Sequence, residues 1–319
     1  MLKKKEIIIF LSIIVLAVAA AVILSTVNIG ANRVVIAVNG ETLYNLPLYK
    51  NTEIKLEHNT VSIKDGKVLV FLKPCDTYSF NQLLTEHRFD REKVYVVGIP
   101  CDGMLDVHKI KESAEGISSI EVGADDVVIH TLYDGDVKLG RNDMLAERCV
   151  NCKSKKHVAY DELLGEDGEV IESGRFDEVA KLEAMTPDER FAFWQNELSR
   201  CIRCNACRDI CPACTCEKCV FDNPNSGVEN KAIADSFEEK MFHIIRAFHV
   251  AGRCTDCGEC SRVCPQHIPL HLLNRKFIKD IDDFYGEYQA GAEVDSRAPL
   301  IDYTTDDLEP SEAVERGEN

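Results

Sequence analysis

The sequence starts with a long run that lacks charged side chains. Residues 7–27 are apolar except for Ser12, Ser25 and Thr26, and about 20 such residues are enough to cross a bilayer as a helix. A cleaved signal peptide is the alternative, with Lys3, Lys4 and Lys5 at its basic start. Its apolar core normally ends after about 15 residues at a small-residue cleavage site, and this run continues without a clear one. The pattern favours an uncleaved transmembrane anchor over residues 1–29.

Residues 33–72 change to a period of two and are rich in β-branched side chains. Asn39-Gly40 and Asp65-Gly66 each separate two such runs, and both dipeptides are strong signals for two-residue hairpin loops. We therefore expect a small antiparallel β domain over residues 30–72, with a hairpin at each dipeptide.

An α/β pattern follows over residues 73–165. Residues 93–99 form a short apolar run typical of a buried strand, and a helical pattern precedes it around residues 80–87. Cys75 follows the strand-like run VLVFLKP, Cys101 follows VYVVGIP, and Cys149 and Cys152 form a CxxC pair. Folds of this class place ligands at strand ends.

Two further helices are predicted near the most cysteine-rich part. Thr186, Pro187 and Glu189 form an N-terminal cap for one helix, and Ser236 with Glu239 does so for the other. The apolar positions that we interpret as core are Phe191, Trp194 and Leu198 in the first helix and Met241, Ile244, Ile245 and Phe248 in the second. Residues 291–319 are acidic and aperiodic, which predicts a disordered tail.

Composition excludes several classes of function. The chain has 319 residues and a formal net charge of −17, whereas nucleic-acid binding depends on basic patches. Neither a G-x-G-x-x-G nor a Walker glycine motif occurs. No Ser-His-Asp set or paired-acid motif supports hydrolysis.

Eight of the 15 cysteines lie in two copies of one pattern. Its spacing is C-x2-C-x2-C-x3-C-P, which is the signature of two-cluster bacterial ferredoxins. In that arrangement three thiolates of one motif and the fourth of the other hold each 4Fe-4S cluster. We therefore predict one cluster on Cys201, Cys204, Cys207 and Cys264, and another on Cys254, Cys257, Cys260 and Cys211.

Zinc and disulfides are the alternatives for these cysteines. Zinc sites usually close with two CxxC pairs in tetrahedral geometry, not with a triplet and an outlying Cys-Pro. A disulfide framework is typical of much smaller secreted chains, and 15 is an odd number. The motifs therefore favour reduced, cluster-bound thiolates in a helical ferredoxin domain over residues 166–290.

Several cysteine-bearing strings resemble one family. LKPCD, VGIPCDG, ERCVNC, ELSRCIRCNACRDICPACTCEKC and the segment around GRCTDCGECSRVCPQHIP are similar to the beta subunits of formate dehydrogenases and deazaflavin-linked hydrogenases. The resemblance covers about residues 68–290 and implies an electron-transfer subunit with a catalytic partner. It also implies a cluster near a flavin. The region before it resembles membrane-tethered proteins similar to the second domain of NusG.

The resemblance brings four more cysteines into consideration. Each lies in a cysteine-bearing string of the family, and four thiolates are the number that a third 4Fe-4S cluster needs. The alternative is that two of them are small buried hydrophobic residues and only the CxxC pair has a role. These four, called the third cysteine set below, are Cys75, Cys101, Cys149 and Cys152.

The sequence leaves the roles of several other cysteines and histidines open. Cys214, Cys216 and Cys219 follow so closely that they could bind another metal, supply a ligand or form a redox-active site. The histidines near the motifs are interpreted as packing or hydrogen-bonding residues beside the clusters. They are His243, His249, His267 and His271.

The sequence as a whole predicts an α+β multidomain protein: a transmembrane helix, a small β domain, a partial α/β domain and a helical dicluster ferredoxin domain. We expect a membrane-tethered electron-transfer subunit, working with a catalytic oxidoreductase and a soluble electron carrier, with cluster domains facing the cytoplasm. The alternative is an enzyme that uses FAD to act on such a carrier. Its flavin pocket lacks support because the anchor and β domain replace a longer α/β region that the family has.

Overall fold

The computed structural model describes most of the chain. Backbone alone is described for residues 24–30, 33–38, 41–47, 54–57 and 60–63. Side chains are described as well for residues 67–153, 156–169, 174–216, 219–223 and 240–301, and residues 236–239 are described as backbone.

The first five strands form two antiparallel sheets. Strands β1 (Leu24–Gly30), β2 (Arg33–Val38) and β3 (Glu41–Pro47) follow one another in the first sheet. Strands β4 (Ile54–Glu57) and β5 (Thr60–Ile63) form a separate hairpin. Val38 pairs with Glu41 across Asn39-Gly40, so the first predicted hairpin is confirmed.

The predicted spanning helix is wrong at its C-terminal end. Residues 24–27 belong to β1, where Val27 pairs with Ile36, so β2 supplies their backbone hydrogen bonds. Residues 7–23 of the predicted helix lie outside the described residues. Among the helices that the structure describes, none is long and apolar enough to cross a membrane.

The second predicted hairpin, at Asp65-Gly66, is also wrong. Strand β5 pairs with β4, and β6 (Val68–Leu72) instead joins β7 (Val94–Gly98) and the short β11 (Glu162–Leu163) in the order β11-β7-β6. The physical reason lies in the sequence of β6, VLVFL, which is apolar at every position and not alternating. Such runs are typical of a strand that is buried on both faces. A hairpin with one solvent-exposed face instead alternates apolar and polar residues. The buried strand predicted over residues 93–99 is confirmed as β7.

Helix α1 (Pro74–Thr85) begins before the helix predicted around residues 80–87. Pro74 occupies its first turn, and the Asp76 carboxylate accepts a hydrogen bond from the Lys73 amide. Cys75 therefore lies in the first turn of a helix and not at the end of a strand.

The chain divides into two compact units. The first contains residues 1–71, 91–97 and 102–150, and the second contains residues 72–90, 98–101 and 151–319. In the first unit, α2 (Val107–Ser113) precedes an antiparallel sheet of β8 (Ile117–Val122), β9 (Asp126–Thr131) and β10 (Asp136–Gly140), in the order β10-β9-β8. Its core consists of Ile110, Val127, Ile129 and Met144. The unit also contains α3 (Glu147–Val150).

The boundary between an α/β domain over 73–165 and a ferredoxin domain over 166–290 stays a prediction, and the two units divide the chain differently. Helix α1 belongs to the second unit together with the cysteine motifs. The Ser79 and Thr255 hydroxyls lie 3.0 Å apart, and Glu86 accepts two hydrogen bonds from the Arg253 guanidinium, at 2.8 and 2.7 Å. These contacts join residues that are far apart in sequence, so no local pattern predicts them.

The second unit is mainly helical. Its helices are α1, α4 (Asp177–Glu183), α5 (Pro187–Ser199), α6 (Ala206–Asp209), α7 (Ser236–Val250), α8 (Glu259–Arg262) and α9 (Leu270–Tyr285). Thr186 and Glu189 form the predicted capping box of α5. The main core contains Leu198, Phe221, Phe242, Ile268 and Leu270 with three motif cysteines.

The predicted core faces of α5 and α7 are only partly right. Leu198 is buried and Trp194 packs against the core, but Phe191 is 60% exposed. On α7 Ile245 is half-buried, whereas Met241, Ile244 and Phe248 are exposed. The buried side of α7 carries Phe242, His243, Arg246, Ala247 and Val250 instead. Two of these are polar, and this polarity concealed the true inner face.

The predicted tail over residues 291–319 is wrong for residues 291–301. Gly291 has a φ of +75°, and a Cβ there would lie 1.9 Å from the Tyr78 carbonyl oxygen, so the segment packs directly on α1. The Asp295 amide donates to the Thr85 hydroxyl at 3.0 Å, and Ala298 is buried. Residues 302–319 lie outside the described residues.

Candidate iron-sulfur centre

The two cysteine motifs have the same backbone conformation. In the first, Arg203 and Asn205 have φ values of 52° and 62°, and the equivalent Asp256 and Gly258 have values of 59° and 67°. Left-handed conformations are costly for residues other than glycine and persist where surrounding structure requires them, often at functional sites. The pattern bends each short loop twice, so that three cysteines of one motif line a common space.

The repeat continues to the fourth cysteine of each motif. One helical turn, α6 or α8, contains the third cysteine of each motif. The Cys211 amide then donates to the Arg208 carbonyl at 3.2 Å, and the Cys264 amide donates to the Ser261 carbonyl at 3.1 Å. Each turn carries its fourth cysteine away from its own triplet.

The structure brings the first predicted set together. Cys201, Cys204, Cys207 and Cys264 line one pocket, which holds about 320 Å³ of space free of protein atoms, part of it open to solvent. Cys264 comes from the other motif, as the crossed arrangement requires. We call these four residues the first cysteine group.

The second predicted set, Cys254, Cys257, Cys260 and Cys211, is also assembled. Burial raises the pKa of the Cys254, Cys257 and Cys260 thiols, and the nearby Cys211 raises each of them further. These four residues are called the second cysteine group. The donor chemistry of both groups, four thiols each, fits a 4Fe-4S cluster. Ligation itself stays a prediction.

When no metal is bound, burial disfavours the thiolate form of these cysteines. It raises the pKa of Cys207 and of Cys257 to about 12 and that of Cys260 to about 11. Because iron binds the thiolate form, loading of a cluster must release the thiol protons. Cys211 differs, since a hydrogen bond from Cys214 lowers its pKa.

His243 lies beside the first cysteine group. Its Nε2 is 3.3 Å from the Cys201 sulfur. Burial, together with Arg246 and Arg203, lowers the pKa of His243 to about 3, so the ring is neutral. His271 bonds through Nδ1 to the Ser261 hydroxyl at 2.9 Å. Both contacts agree with the predicted hydrogen-bonding roles.

Arg246 lies among cysteines of both groups and was not singled out from the sequence. Its guanidinium is buried and donates to the Cys207 carbonyl at 2.8 Å. Burial lowers the pKa of Arg246, but neighbouring sulfurs, those of Cys211 and Cys260 foremost, more than offset this and raise it. The cation therefore compensates negative charge on the thiolates.

A buried ion cluster fixes the loop of the second group. Asp256, between two of its cysteines, accepts hydrogen bonds from Arg175 at 2.9 Å and from Arg275 at 3.0 Å. Burial opposes ionisation, but the two guanidinium groups lower the pKa of Asp256. The sequence alone does not predict this cluster, because its members are distant along the chain.

The loop with the additional cysteines is attached to α1. The Thr215 hydroxyl donates to Glu86 at 2.7 Å, and the Cys214 amide donates to the Cys211 carbonyl at 3.0 Å. Cys216 is exposed, and Cys219 is half-buried near Arg208. Cys214 thus contacts the second group through Cys211, and the three roles left open for these cysteines stay predictions.

The third cysteine set is divided between the two units. Cys149 lies in α3 of the first unit, and Cys75, Cys101 and Cys152 belong to the second. All four are half-buried. A third cluster on this set therefore stays a prediction. Within the described ranges, no three His, Cys, Asp or Glu side chains are grouped as a site for a single metal ion.

Comparison with known proteins identifies the cysteine-rich region. A family model described as a 4Fe-4S dicluster domain matches residues 197–268, which include both cysteine groups. This segment is therefore similar to 4Fe-4S dicluster domains. The predicted 4Fe-4S cofactor chemistry is thereby confirmed for the dicluster segment.

Two curated proteins are similar to most of the chain. The F420-dependent formate dehydrogenase subunit beta of Methanocaldococcus jannaschii is 23% identical over 282 residues, covering 70% of this chain and 74% of the relative. The F420-dependent formate dehydrogenase 1 subunit beta of Methanococcus maripaludis is 25% identical over 306 residues, covering 74% and 76%. The predicted resemblance to formate dehydrogenase beta subunits is confirmed. Neither the names of these relatives nor the dicluster model refers to a flavin.

Proposed function

We propose that this chain is the iron-sulfur electron-transfer subunit of a formate dehydrogenase-type oxidoreductase. The observation that carries the proposal is the crossing of Cys264 into the pocket of Cys201, Cys204 and Cys207. Clusters held by the two cysteine groups would take up and release single electrons. The similarity to two formate dehydrogenase beta subunits supports a formate dehydrogenase-type complex.

The placement of the groups suits a relay. Cys207 of the first group and Cys260 of the second are both buried in the main core, and Cys211 of the second group follows Cys207 by four residues. Electrons would therefore have a short path between the groups. Of the eight motif cysteines, Cys204 is the exposed one, and the adjacent Ile202 is 60% exposed. We assign the first group to exchange with an external partner.

We propose a catalytic oxidoreductase as one partner and a soluble electron carrier as the other. A subunit that only relays electrons needs a donor and an acceptor. The acidic surface, with a net charge of −17 over the chain, favours partners with basic contact faces.

The membrane anchor is a proposal that rests on the sequence. Residues 7–23 are 17 predominantly apolar positions, which is at the short end of the range of about 17–25 for a spanning helix. We place the cluster-bearing domains on the cytoplasmic side because thiols stay reduced there. Protease added to intact cells tests this placement, since digestion of residues 70–290 would contradict it. Release of the full chain by a salt wash would contradict the anchor.

The relay is tested with the full chain and its catalytic partner, prepared without oxygen. We expect the partner alone to reduce an artificial dye with formate, but to reduce the soluble carrier only after this chain is added. Cys204→Ser should impair carrier reduction while dye reduction continues, and the exposed Cys216→Ser is the matched control. Oxidation of formate by the isolated chain would contradict the proposal.

A further inference from the structure

His243, a side chain outside the motifs, contacts a candidate cluster ligand. Its Nε2 lies 3.3 Å from the Cys201 sulfur, and its side chain lines the same pocket as the first cysteine group. The residue is 2% exposed, so water does not compete for this contact.

The direction of the hydrogen bond follows from the chemistry of both atoms. A cysteine sulfur bound to iron carries no proton and can only accept. The imidazole must therefore donate from Nε2. Its Nδ1 has no hydrogen-bond partner within the described part of the chain, so the Nε2–H tautomer is the one that forms a bond.

Packing holds the ring in this orientation. The rings of Phe242 and His243 lie edge to face, with centroids 5.0 Å apart, and the Arg203 guanidinium lies 4.0 Å above the Phe242 ring. Phe242 itself is buried in the main core. The imidazole thus cannot turn away without disturbing that core.

A hydrogen-bond donor to a cluster sulfur changes the equilibrium between the oxidised and reduced states of the cluster. One-electron reduction adds negative charge that the thiolate sulfurs share, with no bond formed or broken, and a hydrogen bond stabilises the more negative state more strongly. In the second group, the corresponding contact is longer: the Asn274 amide nitrogen lies 3.6 Å from the Cys260 sulfur.

We propose that His243 raises the reduction potential of the first cluster by donating its Nε2–H to the Cys201 thiolate. It is a positioning residue that acts through Cys201 and not a ligand. The inference rests on the proposed function, because it requires a cluster on the first cysteine group.

Redox titration of the anaerobic full chain, followed by EPR, tests the proposal. His243→Leu should lower the midpoint potential of one cluster, so that its reduced-to-oxidised ratio at a fixed potential falls about tenfold, equal to ~59 mV for a one-electron couple. His243→Gln keeps an N–H donor and should restore most of the shift. His249→Leu, at an exposed position on the same helix, should leave both potentials unchanged.

Equal midpoints in the parent chain and His243→Leu would overturn the proposal, as would an equal shift in the Gln and Leu variants. If the His243→Leu variant loses the first cluster, its midpoint potential cannot be measured. The parent chain labelled with ¹⁵N-histidine then tests the hydrogen bond directly. A hyperfine coupling to the reduced cluster that disappears in His243→Gln supports the bond, and its absence overturns it. Iron content separates the two claims: fewer than two clusters in the parent chain contradicts the proposed function, whereas two clusters with unchanged potentials contradict the role of His243 alone.

Discussion

Single residues set the backbone of the cysteine-rich region. The doubled spacing was enough to predict the two crossed groups, because that pattern is specific to dicluster ferredoxins. The supporting polar residues were not predictable in the same way. Arg246 and Asp256 acquire their roles from contacts with partners elsewhere in the chain.

The third cysteine set gives the first prediction at this scale. If these four residues hold a cluster, the double variant Cys149→Ser, Cys152→Ser should lose about four irons while the signals of the dicluster segment persist. Iron and sulfide analysis with EPR measures this. Cys216→Ser, which alters an exposed cysteine outside the set, is the control. Unchanged iron content in the double variant would show that the set has a structural role.

Gly291 gives a second prediction at the residue scale. Gly291→Ala adds a Cβ that would lie 1.9 Å from the Tyr78 carbonyl oxygen, at a φ of +75°. Strain and overpacking together should reduce the free energy of unfolding by about 3 kcal/mol. Gly135 has a φ of +77° and open space around it, so Gly135→Ala should cost only ~1 kcal/mol. Chemical denaturation measures the loss in the free energy of unfolding for both variants. Equal losses would show that residues 291–301 do not pack on α1.

At the scale of elements, helix α7 shows where a sequence pattern misleads. Its apolar spacing predicted a core stripe that includes Met241, Ile244 and Phe248, but all three are exposed. The inner face instead carries His243 and Arg246. Polar groups can be buried at this point because thiols, a backbone carbonyl and neighbouring rings contact them. A periodicity rule assumes an apolar interior and cannot anticipate such a centre.

The attachment of α1 gives a prediction at the element scale. Glu86 bonds to Arg253, Thr215 and Gln82, and although burial opposes ionisation, these bonds lower the pKa of Glu86. Glu86→Gln should therefore reduce the free energy of unfolding by about 2 kcal/mol. Thermal or denaturant unfolding of the loaded protein measures the loss.

The pH dependence of that loss follows from the sign of the shift. Because the folded pKa of Glu86 is depressed, its contribution is complete above the unfolded pKa and is lost as pH falls through the folded value. The difference between the parent chain and Glu86→Gln should then be constant from about pH 6 to about pH 8. A difference that grows or vanishes within that window would contradict the assignment. Glu92→Gln, at an exposed carboxylate, is the control.

At the scale of the whole molecule, the sequence predicted the classes of element and the dicluster segment but not the division into units. Helix α1 precedes β7 in sequence, yet it packs beside the second cysteine motif through Ser79 and Thr255. The strand pairing of β6 depends likewise on β7 and β11, which local turn signals cannot reveal. Contacts such as that between Ser79 and Thr255 are what place α1 in the second unit.

The central claim is that each cluster takes its fourth thiolate from the other motif. The most direct measurement compares Mössbauer and EPR spectra of four single variants of the anaerobic full chain: Cys201→Ser, Cys264→Ser, Cys254→Ser and Cys211→Ser. We predict that Cys201→Ser and Cys264→Ser perturb one and the same cluster, and that Cys254→Ser and Cys211→Ser perturb the other. Pairing of Cys264→Ser with Cys254→Ser, or about one zinc per motif in place of about eight irons in the two motifs together, would contradict the account.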